Sequence, residues 1–94
     1  MAGDLRTVRV RIEGRVQGVG FRYWTERAAG DLQLSGWVRN RRDGAVEALF
    51  SGGRNNVDAM LDRCRSGPPS AMVGSVRILE GLPPPRGFEV LPTQ

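Results

Sequence analysis

The chain contains no histidine and no lysine, and its 14 basic side chains are all arginine. Without histidine no side chain has an ordinary pKa near neutrality, so a hydrolytic mechanism would lack its usual general base. A single cysteine, Cys64, excludes an internal disulfide and offers no thiolate cluster for a metal. No apolar run approaches the roughly 20 residues of a membrane-spanning helix. The start, Met1-Ala2-Gly3-Asp4, lacks the basic and hydrophobic regions of a signal peptide. These absences predict a cytoplasmic protein with no membrane attachment.

A length of 94 residues fits one domain, 1–94, with a single core. Its stability would be about 5–14 kcal/mol, so one large core side chain matters. Ten acids against the arginines leave a formal charge of +4. That balance has two readings: a surface for nucleic acid or another polyanion, or an arginine-biased surface of solvated charge. The arginines are scattered, and only Arg39, Arg41 and Arg42 cluster, which favours the second.

From Thr7 to Glu13 the pattern alternates, with Val8, Val10 and Ile12 on one face and Arg9 and Arg11 on the other. This predicts a half-buried strand. From Phe21 the period lengthens: Phe21, Trp24, Thr25, Ala28 and Leu32 form a helical stripe, weakened near its end by Gly30. Strands are predicted at 36–40 and 45–51 around an Asp43-Gly44 turn, with Phe50 facing the core. A second helix follows, capped by Asn55 or Asn56, with Val57, Met60, Leu61 and Cys64 on its apolar stripe. Gly67-Pro68-Pro69 ends it. Strands at 73–79 and 88–91, joined through the stiff Pro83-Pro84-Pro85, complete the chain. The order β-α-β-β-α-β predicts a ferredoxin-like α+β sandwich, an antiparallel sheet with two helices on one face. That arrangement hosts many chemistries, so function has to be argued from a site.

The most informative stretch is Gly14-Arg15-Val16-Gln17-Gly18-Val19-Gly20-Phe21-Arg22. Its glycines permit positive φ, and its successive N–H groups can form an anion-binding nest at a helix start. Arg22 would add a planar fork of donors matched to phosphate oxygens. The stretch lacks the Lys-Ser/Thr pair of a nucleotide P-loop and the third glycine of a dinucleotide fingerprint. Taken alone it also fits an ordinary tight turn. In Gly36-Trp37-Val38-Arg39-Asn40, Asn40 could equally be a turn former, Trp37 reads as packing, and Cys64 as an inert core residue.

Together, Val-Gln-Gly-Val-Gly-Phe-Arg at 16–22 and Gly-Trp-Val-Arg-Asn at 36–40 closely resemble the two signatures of the acylphosphatase family. Gly44, Val46 and Gly52 continue the second signature, and the likeness extends over nearly the whole chain. The resemblance implies a small ferredoxin-like enzyme that hydrolyses acyl phosphates to carboxylate and phosphate. It implies Arg22 as the phosphate-binding arginine and Asn40 as the asparagine that orients water. The N–H groups of Val16, Gln17, Gly18, Val19 and Gly20 become the phosphate cradle. The family often has glycine where Gln33 stands, and several members carry a bulkier residue at Gly20, departures that bear on the first helix's end and on the cradle.

That chemistry suits a chain without histidine. The carboxylate leaving group has a conjugate acid of pKa roughly 4 and needs no general acid. Phosphoryl transfer demands positioning and stabilisation of charge on the equatorial oxygens, which N–H groups and Arg22 can supply. Asn40 can hold a water but is a poor base. In-line attack without metal, cofactor or covalent intermediate is therefore expected. The expected partner is a small-molecule acyl phosphate of broad acyl specificity, with no nucleic acid, and the expected state is monomeric. RNA-recognition domains share the element order, but the third strand lacks their aromatic signature. A domain that binds phosphate without turnover, or the acylphosphatase-like front of a carbamoyl-transferring protein, is a further alternative. The end at Gln94 and the absence of zinc-binding cysteines favour a free-standing enzyme.

Overall fold

The computed structural model describes residues 4–80 and 83–94; the chain start used above in part, residues 1–3, lies outside them. The elements are β1 (Leu5–Arg15), α1 (Phe21–Asp31), β2 (Ser35–Asn40), β3 (Val46–Gly53), α2 (Arg54–Ser66), β4 (Met72–Glu80) and β5 (Phe88–Val90). They build one five-stranded sheet in the order β4-β1-β3-β2-β5 with both helices on one side. The ferredoxin-like prediction holds for the first four strands, which pair antiparallel. The fifth differs from the sequence expectation: β5 pairs parallel with β2, so the sheet is mixed. β4 forms one edge of the sheet, and β5 lies beside β2 at the other. A hairpin could not join the two, because they lie at opposite edges.

Alternation sets which face is buried. Val8, Val10 and Ile12 are 0–1% exposed and meet Val46, Ala48 and Phe50 of β3 on the helix side. Fully burying each such side chain contributes about 1.5–3 kcal/mol. Phe21 and Thr25 of α1 and Val57, Met60 and Cys64 of α2 close the core from above. Cys64 lies within it, and burial pushes its thiol up to about 12, so it packs as an apolar side chain. Trp37 is not in the core: it stands half-buried on the open face, with the Arg39 guanidinium 4.8 Å from its ring centre.

Two helix ends depart from what local sequence suggests. Neither Asn55 nor Asn56 caps α2; the helix starts at Arg54 with no side-chain cap. The Arg54 N–H instead donates to the Asp4 carbonyl at 3.1 Å, and its guanidinium to the Asp4 carboxylate at 3.0 Å. A residue 50 positions upstream, just before β1, thus supplies the acceptor. At the end of α1, Leu34 N–H bonds Ala29 O and Gln33 N–H bonds Gly30 O, the paired bonds of a Schellman motif. Gln33 occupies its left-handed position at φ 56°, where glycine is normally preferred.

Ion pairs lace the open face and edges. The Arg11 guanidinium binds both Glu13 and Asp43, and Arg6 joins Asp58 to Glu80. A hydrogen bond from Arg11 holds Asp43 below its ordinary carboxylate pKa, helped by the Ala45 N–H; Arg11 and Ser75 do the same for Glu13, and Arg6 for Glu80.

Gln33→Gly should relieve the left-handed strain and raise stability by about 0.5–1 kcal/mol in urea unfolding, since the strain exceeds the added entropy of the unfolded glycine. Depressed carboxylates contribute stability that is complete above their unfolded pKa near pH 4 and is lost as pH falls through the lower folded values. The urea midpoint should therefore fall on acidification below about pH 4, and less steeply in Asp43→Asn, which loses the Arg11 pair.

Candidate active site

The connection from β1 to α1 is built to expose backbone. Val16 at 1% exposure and Phe21 at 2% anchor its two ends in the core, and Val19 packs against it between them. Gly18 and Gly20 turn the intervening chain at φ 73° and 77°, a conformation that a side chain would strain. Upstream, a β-bulge after Glu13 shifts the register, and Gly14 lies so close to Met72 that a Cβ would meet its carbonyl oxygen at 2.3 Å. The loop therefore leaves the sheet at a fixed angle.

Helix α1 begins with Gly20 as its N-cap and no side-chain cap. The first intrahelical bond runs from Trp24 N–H to Gly20 O at 3.0 Å, so the N–H groups of Phe21, Arg22 and Tyr23 have no helical acceptor. The first turn carries no acidic residue but does carry Arg22. A cation beside the positive end of a helix costs roughly 0.3–1 kcal/mol. Among the described residues no carboxylate pairs with Arg22, and such a helix start suits an anion.

Val16, Gly18, Gly20, Phe21, Arg22, Tyr23 and Asn40 line a hollow of about 150 Å³ at this helix start. Arg22 is half-buried and reaches the Leu91 carbonyl oxygen at 3.4 Å. Asn40 is the last residue of β2, facing the helix side opposite Val46. Its carbonyl accepts the Gln94 N–H at 3.0 Å, while among the described residues its side chain makes no hydrogen bond. The turn is closed by Asp43, whose carboxylate accepts the Ala45 N–H at 3.1 Å, together with the Arg41–Ala45 and Gly44–Arg41 backbone bonds. Asn40 is therefore not a turn former.

Of the residues singled out in the sequence, Val16, Gly18, Gly20, Arg22 and Asn40 come together at this hollow, and Gln17 and Val19 do not line it. Val19 anchors the loop. Gln17 clamps it: its Nε2 donates to the carbonyls of Arg41 at 2.6 Å and Ala45 at 2.9 Å, tying the loop to the turn that follows Asn40. Sequence reasoning missed the clamp, Tyr23 and the Leu91 carbonyl. Only Tyr23 had a local signal, as the residue after Arg22 in the helix's first turn. Among the described residues no three His, Cys, Asp or Glu side chains form a group able to hold a metal ion.

The family model Acylphosphatase matches residues 8–90. The acylphosphatase of Rhodospirillum rubrum is 51% identical over 90 residues, covering 95% of this chain and 99% of that relative. Among solved structures, an acylphosphatase from Coxiella burnetii superposes with a TM-score of 0.90 at 33% identity, covering 96% of each chain. That from Bacillus subtilis gives 0.87 at 34% identity, covering 92% of this chain and 98% of its own.

Replacing Gln17 by alanine removes two donors from carbonyls beside the hollow. Gln17→Ala should lower unfolding free energy by about 1–3 kcal/mol in urea titration. Its Arg41 and Gly44 amides, which bond the same two carbonyls, should exchange hydrogen faster than in the parent while core strand amides remain protected.

Proposed function

Since the chain belongs to the acylphosphatase family and is a hydrolase of acyl phosphates, we propose that it works by in-line attack of water on a phosphoryl group held between the β1–α1 loop and Arg22. The observation that carries this reading is the convergence of an uncapped helix start, Arg22 and Asn40 on one hollow. The phosphoryl oxygens accept hydrogen bonds from the loop and first-turn N–H groups, Val16 to Gly20 onward, and from Arg22. As negative charge spreads over the equatorial oxygens, these fixed donors need no reorganisation.

Asn40 holds the attacking water. Its side chain is unengaged by the turn, and its amide can both donate and accept. Water adds to phosphorus opposite the leaving oxygen, the P–O bond to the acyl group breaks, and a carboxylate departs. The water's protons pass to a phosphoryl oxygen and to solvent, giving inorganic phosphate. No residue has to act as a strong base, in keeping with a chain that has no histidine. No metal or covalent intermediate takes part.

The enzyme acts as one cytoplasmic domain across residues 1–94, and as a monomer. Support for the first point is that the Rhodospirillum rubrum relative is matched over 99% of its length. No helix of the described residues is long and apolar enough to cross a membrane. A nucleic-acid role is disfavoured by the open sheet face. Phe50 is fully buried and stacks on Phe88, and Trp37 is covered by Arg39. Arg9, Arg39 and Arg41 all converge on Glu47.

The test is benzoyl phosphate hydrolysis in chelator-treated buffer. The parent should turn over, Arg22→Ala should lose at least about 10²–10³ in rate, and Asn40→Ala should lose a comparable factor. Inorganic phosphate should raise the melting temperature of the parent in a concentration-dependent way and do so less for Arg22→Ala. Loss of activity on metal removal, or a trapped phosphoenzyme, would contradict the mechanism. Phosphate binding without turnover would leave a binding domain.

A further inference from the structure

Among the described residues four large hydrophobic side chains are strongly exposed: Leu5, Tyr23, Met72 and Leu79. An isolated exposed apolar residue needs no explanation. Tyr23 differs from the other three by its place, since it alone of the four lines the hollow, while being 63% exposed. It belongs to the first turn of α1, beside Arg22. Its neighbours Phe21 and Trp24 turn the other way, to the core, with ring centres 5.3 Å apart. Phe21 fixes the helix start, so the Tyr23 ring is presented outward from a rigid base.

The hollow itself is small. At about 150 Å³ it is a shallow hollow with an open mouth. With a phosphoryl group seated against the loop and Arg22, the attached acyl group extends toward that mouth. None of the seven lining residues is acidic, so the carboxylate that forms at the rim meets no like charge among them.

We propose that Tyr23 is the acyl subsite, taking aromatic acyl groups against its exposed ring while the phosphoryl group fills the hollow behind it. This rests on the phosphoryl-binding reading of the hollow and adds a substrate preference to it. Offset or edge-to-face packing between the two rings favours aromatic over short aliphatic acyl groups. The broad acyl specificity expected from sequence then becomes a graded one. Small acyl phosphates depend on the cradle alone, and aromatic ones gain the ring contact. The contact is made to a part of the substrate that does not react, so it acts mainly on KM.

The experiment measures kcat and KM for benzoyl phosphate and acetyl phosphate with the parent, Tyr23→Ala and Tyr23→Phe. Exposure of Tyr23 makes all three proteins expected to fold, which circular dichroism checks. In Tyr23→Ala the benzoyl-to-acetyl ratio of kcat/KM should fall roughly three- to tenfold, carried by a higher KM for benzoyl phosphate. Tyr23→Phe should retain the parent ratio. An unchanged ratio in Tyr23→Ala, or equal losses on both substrates, would overturn the acyl subsite while leaving the phosphoryl site standing. If the parent hydrolyses neither substrate, the reading of the hollow itself fails and the subsite with it.

Discussion

Everything distinctive about this molecule depends on keeping the start of one helix open. Between Val16 and Phe21 the chain leaves the core, turns through two left-handed glycines and re-enters with no side chain over the exposed N–H groups. Most proteins cap such an end with serine, threonine or an acid, gaining about 0.5–2 kcal/mol. This one leaves it bare and adds Arg22 to the same turn. The combination is unfavourable for the isolated fold and favourable for a bound anion. Its persistence relies on Val16, Val19 and Phe21, whose burial holds the loop in place whatever its charges prefer. Burial of Phe21 alone is worth more than the electrostatic cost of Arg22. The core therefore decides the shape of the site.

Eight of the other thirteen arginines follow a different logic. Arg6, Arg9, Arg11, Arg39, Arg41, Arg54, Arg65 and Arg77 each lie within ion-pair distance of a carboxylate. Exposed pairs of this kind add little stability, but each offsets the charge of its own arginine. Arg22 instead has a backbone carbonyl as neighbour, at the long distance of 3.4 Å. A carbonyl orients a guanidinium without neutralising it, so the charge remains available to a ligand. A net charge of +4 thus says less about the partner than does the pairing of individual side chains.

How much of this could be read from the sequence follows the range of the forces involved. Val8, Val10 and Ile12 announce their strand because alternation is local, and the stripe from Phe21 announces its helix in the same way. The glycines and Arg22 are legible because a turn needs particular residue types at particular places. Asp4 as acceptor for the start of α2 was not legible, since Asn55 and Asn56 are the better local caps and the competing partner lies 50 residues upstream, just before β1. The parallel docking of β5 escaped for a similar reason: three residues carry almost no direction, and the pairing depends on where β4 leaves the sheet. The clamp by Gln17 was hidden because both its acceptors are main-chain carbonyls, which any sequence would provide.

The clamp also explains how two distant motifs come to act as one. Gln17 joins the loop to the carbonyls of Arg41 and Ala45, on either side of the turn. Asp43 closes that turn on Ala45 and is held in turn by Arg11 of β1. Asn40, immediately before the turn, therefore has its position relative to Gly18 and Arg22 set by short bonds at both ends. An activated anhydride needs little chemical help to lose its carboxylate, so on the proposed mechanism the rate gain rests on where a water and a phosphoryl group are held. A rigid hairpin cross-linked to a rigid loop supplies that placement in a chain that lacks the usual base. The side chain that links the motifs never has to touch the substrate.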